Sequence, residues 1–168
     1  MPRVKLDQLV GQVDAIENAA DMPLYVVTVG DDEGMSGCVA GFVTQSSIKP
    51  LRYLVCISEQ NHTYGVAARS RGMAIHLLGR QQRDMASLFG EETTDQVDKF
   101  RSVGWAKGVT GAPILEQCVA WVEGPILAHF EAGDHDAFLI EAAVGGSGGC
   151  DGQLMQGDVS DFTAGHPA

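Results

Sequence analysis

The residues best suited to chemistry lie between positions 37 and 63 of the sequence. Two runs rich in apolar and β-branched residues flank a Thr/Gln/Ser segment, and Lys49-Pro50 separates that segment from the second run. The pattern predicts two strands around a loop of hydroxyls and backbone donors. Asn61, His62 and Thr63 follow as a polar turn before a predicted helix, whose first amides could hold an anion such as a phosphate.

Two further groups of polar residues are candidates for a ligand site. In the triplet Asp134-His135-Asp136, two carboxylates beside an imidazole would raise its pKa and make it a donor, although a solvated turn is the simpler interpretation. Gln82 and Arg83 lie at the start of a predicted helix, where they could meet an anion or form an ordinary exposed helix start. The five histidines lack the spacing of metal ligands, so no metal site is expected.

Charge and missing motifs narrow the possible functions. The 168 residues carry 11 Lys and Arg against 22 Asp and Glu, so we expect no nucleic-acid or membrane partner and only local contacts to a phosphate. The sequence has neither a P-loop nor a G-x-G-x-x-G dinucleotide fingerprint. It also shows no signal peptide or membrane-spanning run, which predicts a cytoplasmic protein.

The elements that must position these residues are mainly strands. Strands are predicted over residues 24–29, 73–78, 114–130 and 137–144, in addition to the two in the first stretch. Turn residues at 30–34 predict an antiparallel hairpin, and Gly124-Pro125 predicts a bend in the long strand. Helices are predicted over residues 4–20, 64–70 and 80–89, a capping box at 93–96 and an irregular connection at 104–113.

These elements predict a mainly β fold, a barrel of six or so antiparallel strands of Greek-key type with peripheral helices. The domain covers residues 1–144, and residues 145–168 are expected to be a Gly-rich linker and a C-terminal arm. Gly145-Gly-Ser-Gly-Gly149 formally matches a serine nucleophile elbow, but no helix follows the serine. Phe162, in an otherwise polar arm, predicts that residues 159–162 pack back on a dimer.

Four short motifs give the chain a family resemblance. Residues 37–50 resemble the first signature of the flavin reductase-like domain family, in which a Gly opens a strand, a Ser follows and a Pro begins the next strand. Residues 73–89 resemble that family's Asn-Val-Leu, Gln, Leu-Ala, Phe strand and helix. Lys99-Phe100 and Gly133-Asp134-His135 are similar to two further elements, so the resemblance covers about residues 24–144 in the family's order.

The resemblance implies a split β-barrel that binds FMN, and a homodimer with the flavin near the subunit interface. Similar proteins use NAD(P)H to reduce FMN or FAD and often deliver the reduced flavin to a partner monooxygenase. They need no dinucleotide fingerprint, because the nicotinamide stacks directly on the flavin. His135, in the family's Gly-Asp-His turn, would help to position hydride donor and acceptor as the catalytic residue.

A flavin needs an apolar slot for its ring, backbone donors along the ring's polar edge, and hydroxyls or cations at its phosphate. The predicted cofactor-binding residues lie on the first stretch, on the polar turn and on the segments that resemble family motifs. They are Ala40, Gly41, Phe42, Val43, Thr44, Ser47, Lys49, Ser58, Asn61, His62, Thr63, His76, Leu77, Leu78, Gln82 and Phe89.

The sequence departs from the family pattern at two places on this presumed surface. Gly41-Phe42 stands where many relatives carry a Ser/Asn-Ser/Ala pair, and His76 stands where they carry Asn. Another flat cofactor, such as the deazaflavin F420 or haem, therefore remains an alternative to flavin. The alternative function is a non-catalytic binding barrel that carries electrons. The choices between FMN and FAD and between NADH and NADPH also stay open.

Overall fold

The computed structural model describes residue 16 and residues 19–92, 97–149 and 152–165. In this part of the chain it has ten strands and two complete α-helices, and residues 16, 19 and 20 are also helical. The strands are β1 (Tyr25–Gly30), β2 (Met35–Ala40), β3 (Val43–Ile48), β4 (Leu51–Ser58), β5 (Gly72–Leu77), β6 (Trp105–Lys107), β7 (Pro113–Leu115), β8 (Ala120–Glu131), β9 (His135–Glu141) and β10 (Val144–Ser147). The helices are α1 (His62–Ala67) and α2 (Arg83–Gly90), with short 3-10 turns at Arg80–Gln82, Lys99–Arg101 and Gln156–Val159.

The strands form a curled antiparallel sheet in the order β2-β1-β5-β8-β9-β4-β3, with β10 as a further partner of β8. The curl brings β4 to the turn between β2 and β3, where the amide of Cys56 donates to the carbonyl of Phe42 at 3.0 Å. The predicted mainly β fold class is confirmed, and so are the hairpin of β1 and β2 and the strand β5. None of the helices in the described ranges has the length and hydropathy of a membrane span.

The predicted bend in the long strand is also confirmed, because β8 belongs to two parts of the sheet. Its first half pairs with β5 and its second half with β9, with a register shift between Ile126 and Ala128. Pro125 has no N–H to donate, which suits it to such a break. A side chain at Gly124 would overlap the carbonyl of Glu141, so the bend needs a glycine there.

Two apolar clusters stabilise this arrangement, and β1 contributes to both. Val27 and Val29 face the interior of the curled sheet, together with Val55 of β4 and Phe138 of β9. Val26 faces the other cluster, which α2 covers. Because both faces of β1 are covered, five of its six residues are buried and the strand does not alternate between apolar and polar residues.

Lys99, in the Lys-Phe element, connects β2 to α2 on this covered side. It is 3% exposed, and its ammonium donates to the carbonyls of Gly37 and Phe89, both at 3.2 Å. Burial lowers its pKa below the ordinary value for lysine. The described residues therefore give the Lys-Phe element a structural contact between a strand and a helix.

Two predicted irregular segments contain strands. The Thr/Gln/Ser segment at residues 44–47 was expected to be a loop, but it lies within β3, which pairs with β4 on one side and is mostly exposed. An edge strand of this kind carries Thr and Ser on its open face, so its polarity resembles that of a loop. The predicted irregular connection at 104–113 includes β6 and leads into its partner β7.

The linker predicted from residue 145 is likewise wrong at its start. Val144–Ser147 forms β10 and pairs with the first half of β8. A side chain at Gly146 would come within 2.7 Å of the indole nitrogen of Trp121, so glycine lets the backbone lie against that ring. The glycines that predicted a flexible linker therefore serve a close approach between two strands.

Residues 152–165, which we call the C-terminal segment, pack on their own chain. Leu154 is 2% exposed, and its backbone exchanges hydrogen bonds with Leu24 and Leu78 at 2.8 and 2.9 Å. Phe162 packs against the cluster under α2. The contact predicted for residues 159–162 on a dimer is thus made within the chain. The predicted helix at 4–20 lies largely outside the described residues, as do the capping box at 93–96 and His166.

Candidate functional site

A cleft opens where β2 and β4 end, at the place where the curled sheet closes on itself. Its walls are residues 38–40 of β2, the turn Gly41-Phe42, residues 56–58 of β4, Asn61 and His135. Its volume is about 90 Å³. We call it the β2–β4 cleft. Six of the predicted site residues line it, namely Ala40, Gly41, Phe42, Ser58, Asn61 and His135.

Phe42 and His135 contact each other edge to face in the wall of this cleft. Their ring centroids are 5.4 Å apart with the planes at 68°, and Phe42 remains 56% exposed. Nδ1 of His135 pairs with the carboxylate of Asp134 at 2.8 Å, and the side chain of His135 is 24% exposed. The hydrogen bond from His135 and its nearby charge lower the pKa of Asp134. In the described part of the chain, no residue bonds to Nε2 of His135, so this nitrogen is available to a ligand.

Asp136, the other carboxylate of the predicted triplet, lies on the face of β9 opposite to His135. It accepts from the Tyr64 hydroxyl at 3.2 Å and contacts Nδ1 of His129 at 3.0 Å. Successive side chains of a strand point to opposite faces, so Asp134 and Asp136 cannot both flank His135 once β9 begins. The expectation of two carboxylates beside one imidazole is therefore wrong, and Asp134 alone orients the ring.

The polar turn after β4 is built around Asn61, as the sequence predicts. Asn61 caps α1: its side chain accepts from the amide of Thr63 at 2.9 Å, and its carbonyl accepts from the amide of Tyr64 at 2.9 Å. These two amides are therefore not available to a phosphate while the cap holds. Thr63 is 1% exposed, and its hydroxyl bonds to that of Ser36, which also contacts Nδ1 of His62.

The predicted site residues on and after β3 lie away from the cleft. Val43 is buried in the interior cluster, whereas Thr44 and Lys49 are exposed and Ser47 is half-buried. Strands advance about 3.3 Å per residue, so Ile48, the last residue of β3, is roughly 16 Å farther along the strand than Val43, and Lys49 follows it in the turn. Lys49 is thus not a cation of the β2–β4 cleft.

The predicted site residues on β5 and α2 lie apart from the cleft as well. His76 is fully buried: Nδ1 donates to the carbonyl of Val26 at 3.0 Å, and Nε2 accepts from the amide of Leu115 at 3.0 Å. Burial lowers the pKa of His76 to about 4, so the ring is neutral at neutral pH. His76 is a structural residue here, because both ring nitrogens already have backbone partners.

The other members of this group have structural contacts too. Leu78 and Phe89 are at most 1% exposed in the cluster under α2, and the side chain of Gln82 accepts from the amide of Gly79 at 2.6 Å. Leu77 is half-buried and pairs with Tyr25 of β1. Since β1 lies between β5 and β2 in the sheet, the strand that carries Leu77 is two positions away from the cleft wall.

The cleft also contains residues that the sequence did not single out. Cys38 and Cys56 bring two thiols to its wall, both without disulfides. Burial raises the pKa of Cys38 to about 11 and also raises that of Cys56, so both are protonated thiols rather than nucleophiles at neutral pH. Both residues lie near the ends of the strands that carry the cleft, β2 and β4, which could have suggested this. Gln156 is not a wall residue but contacts Gly41 from 115 residues away, and no pattern in the sequence indicated this contact.

Two larger cavities lie elsewhere. One of about 340 Å³ has Arg69, Arg71 and Lys107 in its wall, but Arg69 already pairs with Asp31 and Glu33. The other, of about 480 Å³, is lined by acidic and amide side chains around the start of α2. Neither includes a wall residue of the β2–β4 cleft, which remains the place where the predicted residues converge.

Residues 19–148 match the family described as the flavin reductase like domain. The match covers most of the chain and contains β1 to β10 with the β2–β4 cleft. The chain therefore belongs to this family, and the predicted family is confirmed.

Three relatives show the range within this family. The reductase subunit Stc3 of stachydrine N-demethylase from Rhizobium meliloti is 32% identical over 111 residues, which are 66% of this chain and 47% of Stc3. The FMN reductase (NADH) RutF from Pseudomonas syringae is 28% identical over 116 residues, 69% of this chain and 65% of RutF. The solved structure of the NADH:FAD oxidoreductase SgcE6 from Streptomyces globisporus is 25% identical with a TM-score of 0.72, covering 92% of this chain and 87% of SgcE6. The chain thus spans less than two thirds of the length of the first two relatives.

Proposed function

We propose that the protein is a flavin reductase that transfers a hydride from NADH or NADPH to FMN or FAD. The observation that carries this proposal is the convergence of Phe42, Asn61 and His135 on one cleft in a chain of the flavin reductase-like family. Relatives named as an FMN reductase (NADH) and an NADH:FAD oxidoreductase support the choice of cofactor and hydride donor.

The residues of the β2–β4 cleft fit a flavin. Phe42 offers an exposed apolar ring for a flat ligand to pack against, and Ser58, Asn61 and His135 add polar groups on the other walls. A bound flavin would supply the ring that accepts the hydride. Nδ1 of His135 pairs with the carboxylate of Asp134 and therefore carries a proton, so Nε2 of the neutral ring is left as an acceptor for the ligand.

A homodimer is part of the same proposal, because one chain offers too little of a site. The cleft measures about 90 Å³, whereas ligand pockets usually measure about 300–1,000 Å³. Large exposed apolar side chains lie on β3, β4 and the second half of β8, which are parts of one continuous sheet. They are Ile48, Leu51, Leu127 and Phe130. We propose that a second copy packs on these strands and contributes further walls to the site.

The reduced flavin would pass to a partner enzyme, in our proposal a monooxygenase. The name of Stc3 as the reductase subunit of a demethylase supports a role as one component of two. The formal net charge of -11 argues against a nucleic-acid or anionic-membrane partner. We place the protein in the cytoplasm, where pyridine nucleotides are supplied.

Anaerobic spectroscopy tests the proposal directly. The purified protein is mixed with FMN or FAD, and NADH or NADPH is added while the flavin absorbance is followed. Catalytic bleaching with either nucleotide supports the reductase, and size-exclusion chromatography with light scattering should give the mass of a dimer. A flavin that stays bound and oxidised under excess nucleotide would support the electron carrier. A released ligand with a Soret band or deazaflavin fluorescence would replace flavin with haem or F420.

A further inference from the structure

The C-terminal segment lies outside the residues that match the family, yet it reaches the rim of the β2–β4 cleft. Backbone bridges join Met155 to Pro23 and Gln153 to Gly79. The amide of Gln156 donates to the carbonyl of Met22 at 2.9 Å. The segment is therefore docked on the body of the protein immediately before and at Gln156.

Arg83, at the start of α2, holds the part of the segment that follows. Its guanidinium donates to the carbonyl of Asp158 and to both carboxylate oxygens of Asp161, the latter at 2.5 and 2.7 Å. It also lies 4.6 Å from the centroid of the Phe162 ring. The hydrogen bond from Arg83 lowers the pKa of Asp161. One side chain thus contacts three residues of the segment.

Between these two attachments, the side chain of Gln156 contacts the turn that forms a wall of the cleft. Its Nε2 donates to the carbonyl of Gly41 at 3.4 Å. A Cβ at position 41 would overlap this carboxamide, so Gln156 occupies the space that a side chain at 41 would take. In the described part of the chain, Oε1 of Gln156 accepts no hydrogen bond.

We propose that Gln156 is a residue of the flavin site and that Arg83 is a positioning residue that keeps it there. Gln156 substitutes for the side chain that Gly41 lacks, and its free Oε1 accepts a hydrogen bond from the imide N–H on the polar edge of the flavin ring. This inference rests on the proposed function, since it assumes that a flavin binds in the β2–β4 cleft.

The first test compares flavin affinities by fluorescence quenching. Gln156→Ala should bind FMN about 3- to 10-fold more weakly than the unmodified protein, the usual effect of one neutral hydrogen bond. The matched control is Gln153→Ala, which removes an exposed glutamine of the same segment and should leave the affinity unchanged. Equal affinities of Gln156→Ala and the unmodified protein would overturn the inference.

The second test asks whether Oε1 of Gln156 is the atom that accepts the hydrogen bond from the flavin. Methylation of the imide nitrogen removes the N–H that Oε1 is proposed to bind. The unmodified protein should therefore prefer FMN over its N3-methyl derivative by several-fold, and Gln156→Ala should lose most of that preference. A preference that survives in Gln156→Ala would overturn the role of Oε1, even if the variant binds all flavins less tightly for structural reasons.

A double-mutant cycle tests the contact with Gly41. Gly41→Ala should displace the carboxamide and weaken FMN binding, but it should add little in the Gln156→Ala background. Additive losses would show that the two residues act independently and would contradict the proposal.

Arg83→Ala should lower FMN affinity and expose the segment to proteolysis. Arg101→Ala is its control, because Arg101 is also an exposed arginine paired with an aspartate. An Arg83→Ala protein with unchanged FMN affinity would overturn the positioning role. If the unmodified protein binds no flavin at all, the proposed function itself fails, a result distinct from each of these.

Discussion

The β2–β4 cleft and the buried core each contain a histidine that was predicted as a site residue, His135 in the cleft and His76 in the core. The two differ in their hydrogen bonds and in their exposure. His76 has a backbone partner on each ring nitrogen and no exposed surface. His135 has one nitrogen on Asp134 and the other open to the cleft. The difference shows that a histidine is a site candidate when part of its hydrogen-bonding capacity is unused, and not because it lies in a motif.

The largest expected effect concerns the buried histidine. His76→Ala removes the acceptor for the Leu115 amide and leaves a cavity in the core, so the free energy of unfolding should fall by about 3 kcal/mol. His135→Ala should change it by less than about 0.5 kcal/mol, because that side chain lies at the surface of the cleft. Urea unfolding measures both, and equal losses would remove the distinction between the two histidines.

Lowering the pH should destabilise the protein through the buried His76. Burial lowers the folded-state pKa of His76 from its ordinary 6.5 to about 4. The contribution of the neutral ring to the free energy of unfolding is therefore complete above pH 6.5 and is lost as the pH falls towards 4. At pH 5 the loss should be about 2 kcal/mol relative to pH 7. His76→Gln cannot titrate, so the difference in pH dependence between it and the unmodified protein isolates this effect. If His76→Gln and the unmodified protein lost the same stability between pH 7 and pH 5, His76 would not be a buried neutral imidazole.

The open histidine should matter for turnover instead. His135→Ala removes the imidazole whose Nε2 is the proposed ligand contact, and kcat/KM for NADH-dependent flavin reduction should fall about tenfold. His129→Ala is the matched control, since His129 is half-exposed on β8 but contacts Asp136 on the other face of β9. A control that loses as much activity as His135→Ala would show that the cleft histidine has no special role.

The smallest effect should come from the group that orients His135. Asp134→Asn keeps the size of the side chain but weakens its attraction for the imidazole, so kcat/KM should fall about threefold. In the His135→Ala background the same substitution should have no further effect, because Asp134 acts through the ring. Steady-state kinetics on the four proteins decides this, and an undiminished effect in that background would assign Asp134 a role of its own.

Local chemistry made much of the fold predictable. The β1–β2 hairpin followed from a turn cluster between apolar runs, and the bend of β8 followed from Gly124-Pro125. β3 was mistaken for a loop because an exposed edge strand is polar, and β10 for a linker because its glycines allow contact with Trp121.

The candidate site was predictable only where its residues adjoin a turn or a strand end. Phe42, Asn61 and His135 belong to such places, and the family resemblance placed them in one set. His76 was misassigned because a motif gives the order of residues but not the face of the sheet to which each one points. Gln156 was missed because its contact with Gly41 depends on the docking of a segment beyond the family match.

The two thiols in the wall of the cleft have a consequence for a protein that handles reduced flavin. Reduced flavin that meets oxygen generates hydrogen peroxide, and peroxide attacks thiolates rather than thiols. With its pKa raised to about 11, Cys38 is ionised in roughly one molecule in ten thousand at pH 7. The burial that stabilises the sheet at this point would therefore also protect the proposed reductase from this peroxide.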